Sequence, residues 1–201
     1  MNSIETFLLD SGLSWTMSKL LPYLFTICLG AFLVFLLKKK LIRTKRPIRV
    51  LLKLVVFIIP FLIYFAFNPI YQGDFSNNST PFILTDLEKE LTGKKLVVLT
   101  IPGCPHCYQA LGKMKKLKSR NDKIEIEYIV CHDDPETVEW YAKESGNAVK
   151  VRLATDMQSM ANLAKGVFPT FVLVNNDNPL KVWSNDNFGV LAIDEVEQLL
   201  K

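Results

Sequence analysis

The sequence predicts an α/β domain, a mixed sheet flanked by helices, preceded by a two-helix transmembrane hairpin. Three observations carry this. Two uncharged or nearly uncharged apolar runs of eighteen residues lie in the first third of the 201-residue chain. Strand-like and helix-like hydrophobic periods then alternate to the C-terminus. A Cys-Pro-His-Cys segment, residues 104–107, stands where one of these strands gives way to a helix.

The apolar runs are Leu20–Leu37 and Val50–Phe67, the second carrying only Lys53. Eighteen helical residues rise roughly 27 Å, close to the ~30 Å hydrocarbon thickness of a bilayer. Tyr23, Tyr64 and Tyr71 sit near the run ends, where amphipathic rings suit the headgroup region. Pro60 lies inside the second run, a position that lipid-embedded helices tolerate. A cleaved signal peptide is disfavoured: no basic segment precedes the first run, and Lys38, Lys39 and Lys40 follow it. Lys38 to Arg49 contains seven basic residues and no acid. So short a basic connector stays on the cytoplasmic side. Both termini are then expected on the periplasmic or extracellular side of a bacterial inner (cell) membrane.

Charge supports the same division. The net +4 combines +7 in residues 1–72 with −3 in residues 73–201. The C-terminal part therefore lacks the basic surface of a nucleic-acid binder, and no nucleic-acid partner is expected. Four cysteines are too few for a disulfide-stapled scaffold. The expected organisation is a membrane anchor over 1–72, a linker over 73–81 and a folded domain over 82–201.

Within that domain, Thr85-Asp86-Leu87-Glu88 reads as a capping box opening a helix to Gly93. Leu96–Ile101 is a buried strand, and Leu111, Met114 and Leu117 mark the inward face of the helix after it. Ile124–Cys131 is a second strand. Asp134-Pro135 caps a helix ending at Gly146, and Val149–Leu153 alternates as a half-exposed strand. Thr155-Asp156-Met157-Gln158 reads as another capping box, with Gly166 ending its helix. Phe171–Val174 and Lys181–Ser184 form a hairpin across 175–179. Ile193, Val196, Leu199 and Leu200 line a final helix.

The chemistry lies in Cys104-Pro105-His106-Cys107. A cysteine at a helix N-terminus meets unpaired N–H groups and the positive end of the helix dipole, which favour the reactive thiolate. Cys107 is three residues on, so the two sulfurs share the first turn and can close a disulfide. His106 adds a positive group beside the thiolate, and Pro105 and His106 together are the tuning residues. Stabilising the reduced form makes the disulfide more oxidising. A c-type haem site is excluded because Tyr108, not His, follows Cys107. Zinc on Cys104, Cys107, Cys131 and His132 lacks the usual ligand spacing. A permanent structural disulfide is the other reading of the pair.

Strand, CPHC helix and then Gly166-Val167-Phe168-Pro169-Thr170-Phe171 resemble the thioredoxin superfamily over about residues 82–201. The resemblance implies a cis Phe168–Pro169 peptide facing the redox pair, with Phe168 and Pro169 forming the substrate-binding loop. Pro105-His106 is similar to the DsbA oxidases. The helix and strand over 134–153 are similar to the membrane-tethered TlpA/ResA group, usually reductants. Gly103 and Val98 depart from the Trp and the buried acid of related proteins, so the redox direction stays open. The resemblance implies a thiol-disulfide oxidoreductase with Cys104 attacking and Cys107 resolving. Its substrates would be cysteine-containing extracytoplasmic proteins, with a membrane redox partner and no cofactor or metal. The alternative is a non-enzymatic thioredoxin-fold module for binding or metal delivery. Cys131 reads as a core thiol or a third redox thiol, and Cys28 as an apolar membrane residue. His132 reads as a loop residue, the lysines of 113–118 as a solvated face, and Met157 and Met160 as core.

Overall fold

The computed structural model describes residues 2–41, 45–71, 73–82, 91–146, 148–175 and 180–201. The chain divides into two compact units, Met1–Tyr71 and Gln72–Lys201.

The first unit contains α1 (Ser3–Asp10), α2 (Trp15–Leu41) and α3 (Arg46–Phe67). α2 and α3 are long and apolar enough to cross a membrane. Both helices extend beyond the apolar runs, because hydrogen bonding sets a helix end while apolarity sets only the part suited to lipid. Ser14, for example, accepts the Met17 N–H on its Oγ at 3.2 Å and so starts α2 before Leu20. No residue of α3 is buried, and Phe67 is 82% exposed, leaving an apolar surface outward. A Cβ on Gly30 would lie 2.2 Å from the Phe57 carbonyl oxygen, so the two backbones touch there. Close approach through a small residue is a recurring basis of helix pairing in membranes.

The sequence pattern did not reveal α1. It is held by a reciprocal cap: Glu5 N–H donates to Asn2 Oδ1 at 2.7 Å, and Asn2 N–H donates to Glu5 Oε2 at 3.2 Å. Asn2 Nδ2 also donates to Tyr64 Oη and Asn68 Oδ1, at 2.9 and 2.8 Å. Tyr23 Oη donates to the Asn68 carbonyl. The same asparagine thus caps α1 and ties it to the end of α3.

The second unit has a six-stranded sheet in the order β1-β6-β5-β2-β3-β4. The strands are β1 (Thr80–Phe82), β2 (Lys94–Thr100), β3 (Ile126–Val130), β4 (Lys150–Leu153), β5 (Thr170–Asn175) and β6 (Leu180–Ser184). β2 runs parallel to β3 and antiparallel to β5, so the sheet is mixed. β3 and β4 are parallel, while β5–β6 and β6–β1 are antiparallel. The helices are α4 (Pro105–Arg120), α5 (Pro135–Ser145), α6 (Met157–Leu163) and α7 (Val190–Leu199).

Alternation along the strands sorts the core into two faces. Val97, Leu99, Ile129, Val172 and Val174 pack with Met160 and Leu163 of α6. The opposite face carries Leu96, Val98 and Tyr128, with Tyr128 against Tyr141 of α5 at 5.0 Å between ring centroids. Tyr108 of α4 also meets Tyr141, and Arg120 of α4 pairs with Glu197 of α7 at 3.4 Å. α4, α5 and α7 therefore share that second face. This is a thioredoxin-like mixed sheet flanked by helices.

Several local expectations change. The segment expected as a linker over 73–81 is folded onto the domain, and its end forms edge strand β1. Its turn-forming residues hold it: Val190 N–H donates to the Asp74 carbonyl at 2.7 Å, and Trp183 Nε1 donates to Asn77 Oδ1 at 3.0 Å. Asn77 Nδ2 donates to Glu195 at 2.8 Å. A Cβ on Gly189 would lie 2.3 Å from the Gly73 carbonyl oxygen, so only glycine permits the contact. The cap of α6 is Asp156, not Thr155. Its two carboxylate oxygens accept both the Ser159 N–H and the Ser159 hydroxyl, at 3.0 and 2.6 Å. Asp134 does cap α5, accepting from Thr137. The expected helix opening at Thr85 falls on residues 83–90, and most of the β5–β6 connection on 176–179, outside the described residues.

An ion cluster crosses three strands. Glu127 of β3 is 8% exposed and accepts from Lys95 Nζ at 2.5 Å and Arg152 Nε at 2.7 Å. Burial pushes its carboxyl up, but the bonds to Lys95 and Arg152 and their charges outweigh this and hold it below the ordinary glutamate value.

Candidate active site

β2 lies inside the sheet and ends at Thr100. A tight turn over 101–103 then leads to α4, with Gly103 in the left-handed region at φ 67°. Cys104 is the N-cap residue of α4, with Pro105 at the first helical position, where its missing N–H costs nothing.

Cys104 and Cys107 form a disulfide, with their Cα atoms 5.3 Å apart. The two residues differ in exposure. Cys104 is 8% exposed, whereas Cys107 is fully buried. The Cys107 N–H points at the Cys104 sulfur, 3.2 Å away, and at the Cys104 carbonyl oxygen, 3.1 Å away. In the dithiol form, that N–H is placed to stabilise a Cys104 thiolate.

The segment 167–170 faces this pair. The Phe168–Pro169 peptide is cis. The Phe168 carbonyl oxygen lies 3.8 Å from the Cys104 sulfur. A disulfide sulfur carries no hydrogen, so this is a contact; a Cys104 thiol could donate there. Pro169 is buried, and Phe168 is partly buried against the core cluster on the α6 side of the sheet. The Thr170 hydroxyl donates to the Val167 carbonyl at 2.7 Å and closes the loop. Cys104, Cys107, Phe168 and Pro169 are therefore together, while Pro105 and His106 lie exposed on the outer side of the first turn.

The other singled-out residues stand apart from this chemistry. Cys131 is a free, partly buried thiol packed against the core. Burial pushes it up to about 11, against smaller lowering effects from the Thr100 backbone and Arg152, so it is protonated at neutral pH. Cys28 is free and exposed on α2, and His132 is exposed after β3. Two members of the Cys104, Cys107, Cys131 and His132 set are joined in the disulfide. Met160 is fully buried and Met157 packs beside it in the core.

Sequence spacing missed an aromatic bracket around the active-site turn. The Gly103 N–H donates to Tyr108 Oη at 3.0 Å. The Tyr108 ring meets Trp140 edge-on at 4.5 Å between centroids and Tyr141 at 5.6 Å. Tyr141 Oη shares a buried 2.9 Å hydrogen bond with Thr100 Oγ1 at the end of β2. The only signal for this in the sequence is the cluster of aromatic residues at 108, 128, 140 and 141.

Comparison with known proteins gives one family match: the family described as Redoxin matches residues 71–190. No curated protein gives a significant match. Among solved structures, the chain is similar to a secreted Mycobacterium tuberculosis disulfide oxidoreductase homologous to E. coli DsbE. The identity is 15%, covering 64% of this chain and 96% of that one, with a TM-score of 0.42. The thioredoxin domain of a thiol-disulfide oxidoreductase from Bacteroides vulgatus aligns at 18% identity over 66% of this chain and 99% of its own, TM-score 0.43. StoA from Bacillus subtilis aligns at 16% identity over 62% and 99%, TM-score 0.39.

Proposed function

The chain belongs to the Redoxin family; from that premise we propose that it is a thiol-disulfide oxidoreductase, anchored in a bacterial inner membrane, that exchanges disulfides with extracytoplasmic proteins through Cys104 and Cys107. The observation that carries the assignment of roles is the unequal exposure of the two cysteines: Cys104 retains 8% and Cys107 none.

From the disulfide form, a substrate thiolate attacks the Cys104 sulfur. The Cys104–Cys107 bond breaks, and its electron pair leaves on Cys107 as a thiolate. A second substrate thiolate then attacks the substrate sulfur of the mixed disulfide. The substrate leaves oxidised, and Cys104 leaves as a thiolate facing the Cys107 N–H. In the opposite direction, Cys104 thiolate attacks a substrate disulfide and Cys107 resolves the intermediate. Phe168 and Pro169 belong to the loop across from Cys104 that would face the substrate. Each turnover changes the pair's redox state, so a second redox partner must restore it; a tether near the bilayer suits a membrane electron carrier for that role.

The anchor reading rests on α2 and α3 as membrane-length helices and on the basic connector between them. It places both termini and the redox domain outside the cytoplasm.

Trapping tests the cysteine roles. With Cys107→Ser, mixed disulfides on Cys104 should accumulate, because the resolving thiol is gone. With Cys104→Ser, trapping should vanish. Equal trapping by both variants would sink the assignment. Insulin reduction or oxidation of a reduced test peptide by the full chain separates an enzyme from a binding module.

A further inference from the structure

We propose that Tyr108 is a positioning residue of the redox centre: its hydroxyl, held by an aromatic bracket from α5, fixes the turn that presents Cys104. This deepens the proposed function and rests on the Cys104–Cys107 pair being the redox centre.

Tyr108 follows Cys107 directly, yet its side chain reaches back across the CxxC turn. Its Oη accepts the Gly103 N–H at 3.0 Å, one residue before Cys104. Its own N–H donates to the Cys104 carbonyl at 3.2 Å. Backbone and side chain of one residue therefore grip both sides of the Cys104 peptide. The phenol is itself held. Trp140 packs edge-on against it at 4.5 Å, and Tyr141 flanks it at 5.6 Å. Tyr141 is moored by its hydroxyl to Thr100 at 2.9 Å. The path Thr100–Tyr141–Tyr108–Gly103 closes a ring around residues 101–103, the only covalent link between the end of β2 and Cys104.

Opening the disulfide removes the bond that joins the Cys104 and Cys107 side chains. The Cys107 N–H can stabilise the Cys104 thiolate only if the Cys104 backbone stays at the N-cap. Gly103 sits at φ 67°, and a Cβ added there would meet nothing within 4 Å, so packing on that side offers no restraint against a shift. The bracket supplies that restraint. It acts on the reduced form, in which the covalent restraint is gone, and so it biases the redox equilibrium and not only the fold.

The test compares the full chain in detergent with Tyr108→Phe, which keeps the ring and deletes the hydroxyl. Two quantities are read: Cys104 alkylation rate against pH, located by mass spectrometry, and the equilibrium with oxidised and reduced glutathione. A net hydrogen bond of about 1 kcal/mol limits the effect to roughly fivefold. We expect the Cys104 thiolate to need a higher pH in Y108F. The glutathione equilibrium should shift about threefold toward the disulfide, because the reduced form loses stabilisation. Trp140→Leu, which removes one wall of the bracket from an exposed position, should shift both readouts the same way by less. If Y108F loses its cooperative thermal transition, W140L carries the comparison. Active wild type with both readouts unchanged in these variants overturns the proposal alone. A wild-type chain that exchanges no thiols with glutathione removes the redox reading and the proposal together.

Discussion

Glu127→Gln isolates the ion cluster that pins three strands together. Glu127 is 8% exposed, and the side chains of Lys95 and Arg152 are 14% and 31% exposed. Glutamine keeps the shape but turns an amide toward two cations. Hydrogen bonds to charged groups contribute roughly 1.5–3 kcal/mol each, and breaking a fully buried pair costs roughly 3–5 kcal/mol. Arg152 and Lys95 retain some water, so the loss here should be about 2 kcal/mol. A unit of about 130 residues has an unfolding entropy near 0.27 kcal/mol/K, so Tm should fall by about 7 °C at neutral pH. The pH dependence follows from the lowered carboxyl. Glu127 binds its proton less readily in the folded chain than in the unfolded one. Its stabilisation is therefore present above the ordinary glutamate value and is lost as pH falls through the lower folded value. E127Q has nothing to titrate, so the gap in Tm between the two proteins should narrow on acidification. The assay is thermal melting of both full chains from about pH 7 down to about pH 3. No gap at neutral pH, or a gap of constant size, would refute the reasoning.

Three further outcomes are expected. His106→Ala removes a polar side chain between the two cysteines at the N-terminus of α4. It should raise the Cys104 pKa by about one unit and make the disulfide less oxidising by ~30 mV, read by alkylation and glutathione titration; unchanged values would mean that His106 does not tune the couple. Gly189→Ala places a Cβ against the Gly73 and Asp74 carbonyls, although φ −88° is open to any residue. A loss of about 2–3 kcal/mol by denaturant melting is expected from displaced backbone bonds and overpacking, and a loss below ~0.5 kcal/mol would contradict the contact. Reporter fusions should place Arg43 inside and Lys201 outside; a cytoplasmic C-terminus would remove the proposed compartment.

What could be read from the sequence followed from local periodicity. The strand before Cys104, the α4 stripe of Leu111, Met114 and Leu117, and the Asp134-Pro135 start of α5 each sit within one element, and the signal lies there too. The elements that escaped lack a period. Thr80-Pro81-Phe82 is three residues with a proline, acceptable only because β1 is an edge strand whose pairing depends on distant Leu180–Val182. α1 depends on Asn2 meeting Glu5. Thr155 fits a capping pattern, but Asp156 offers two acceptors to Ser159 and wins. The same limit applies to the site. Cys104 and Cys107 carry their own spacing, whereas the Tyr108 bond to Gly103 and the Glu127 cluster depend on side-chain reach and strand register.

Segment 73–82 has a practical consequence. By composition it is the obvious place for a protease to nick the chain, being polar, rich in asparagine and serine, and preceded by a helix of membrane length. Cleavage requires a stretch of backbone to enter the protease in extended form. Here Asp74 and Ser76 carbonyls are engaged by Val190 and Gly189, Asn77 is buttoned to Trp183 and Glu195, and Thr80–Phe82 is laddered to β6. Digestion meant to release a soluble domain should therefore spare these bonds and cut elsewhere. A truncation that begins after residue 82 would strip the partner from the β6 edge and expose the indole of Trp183.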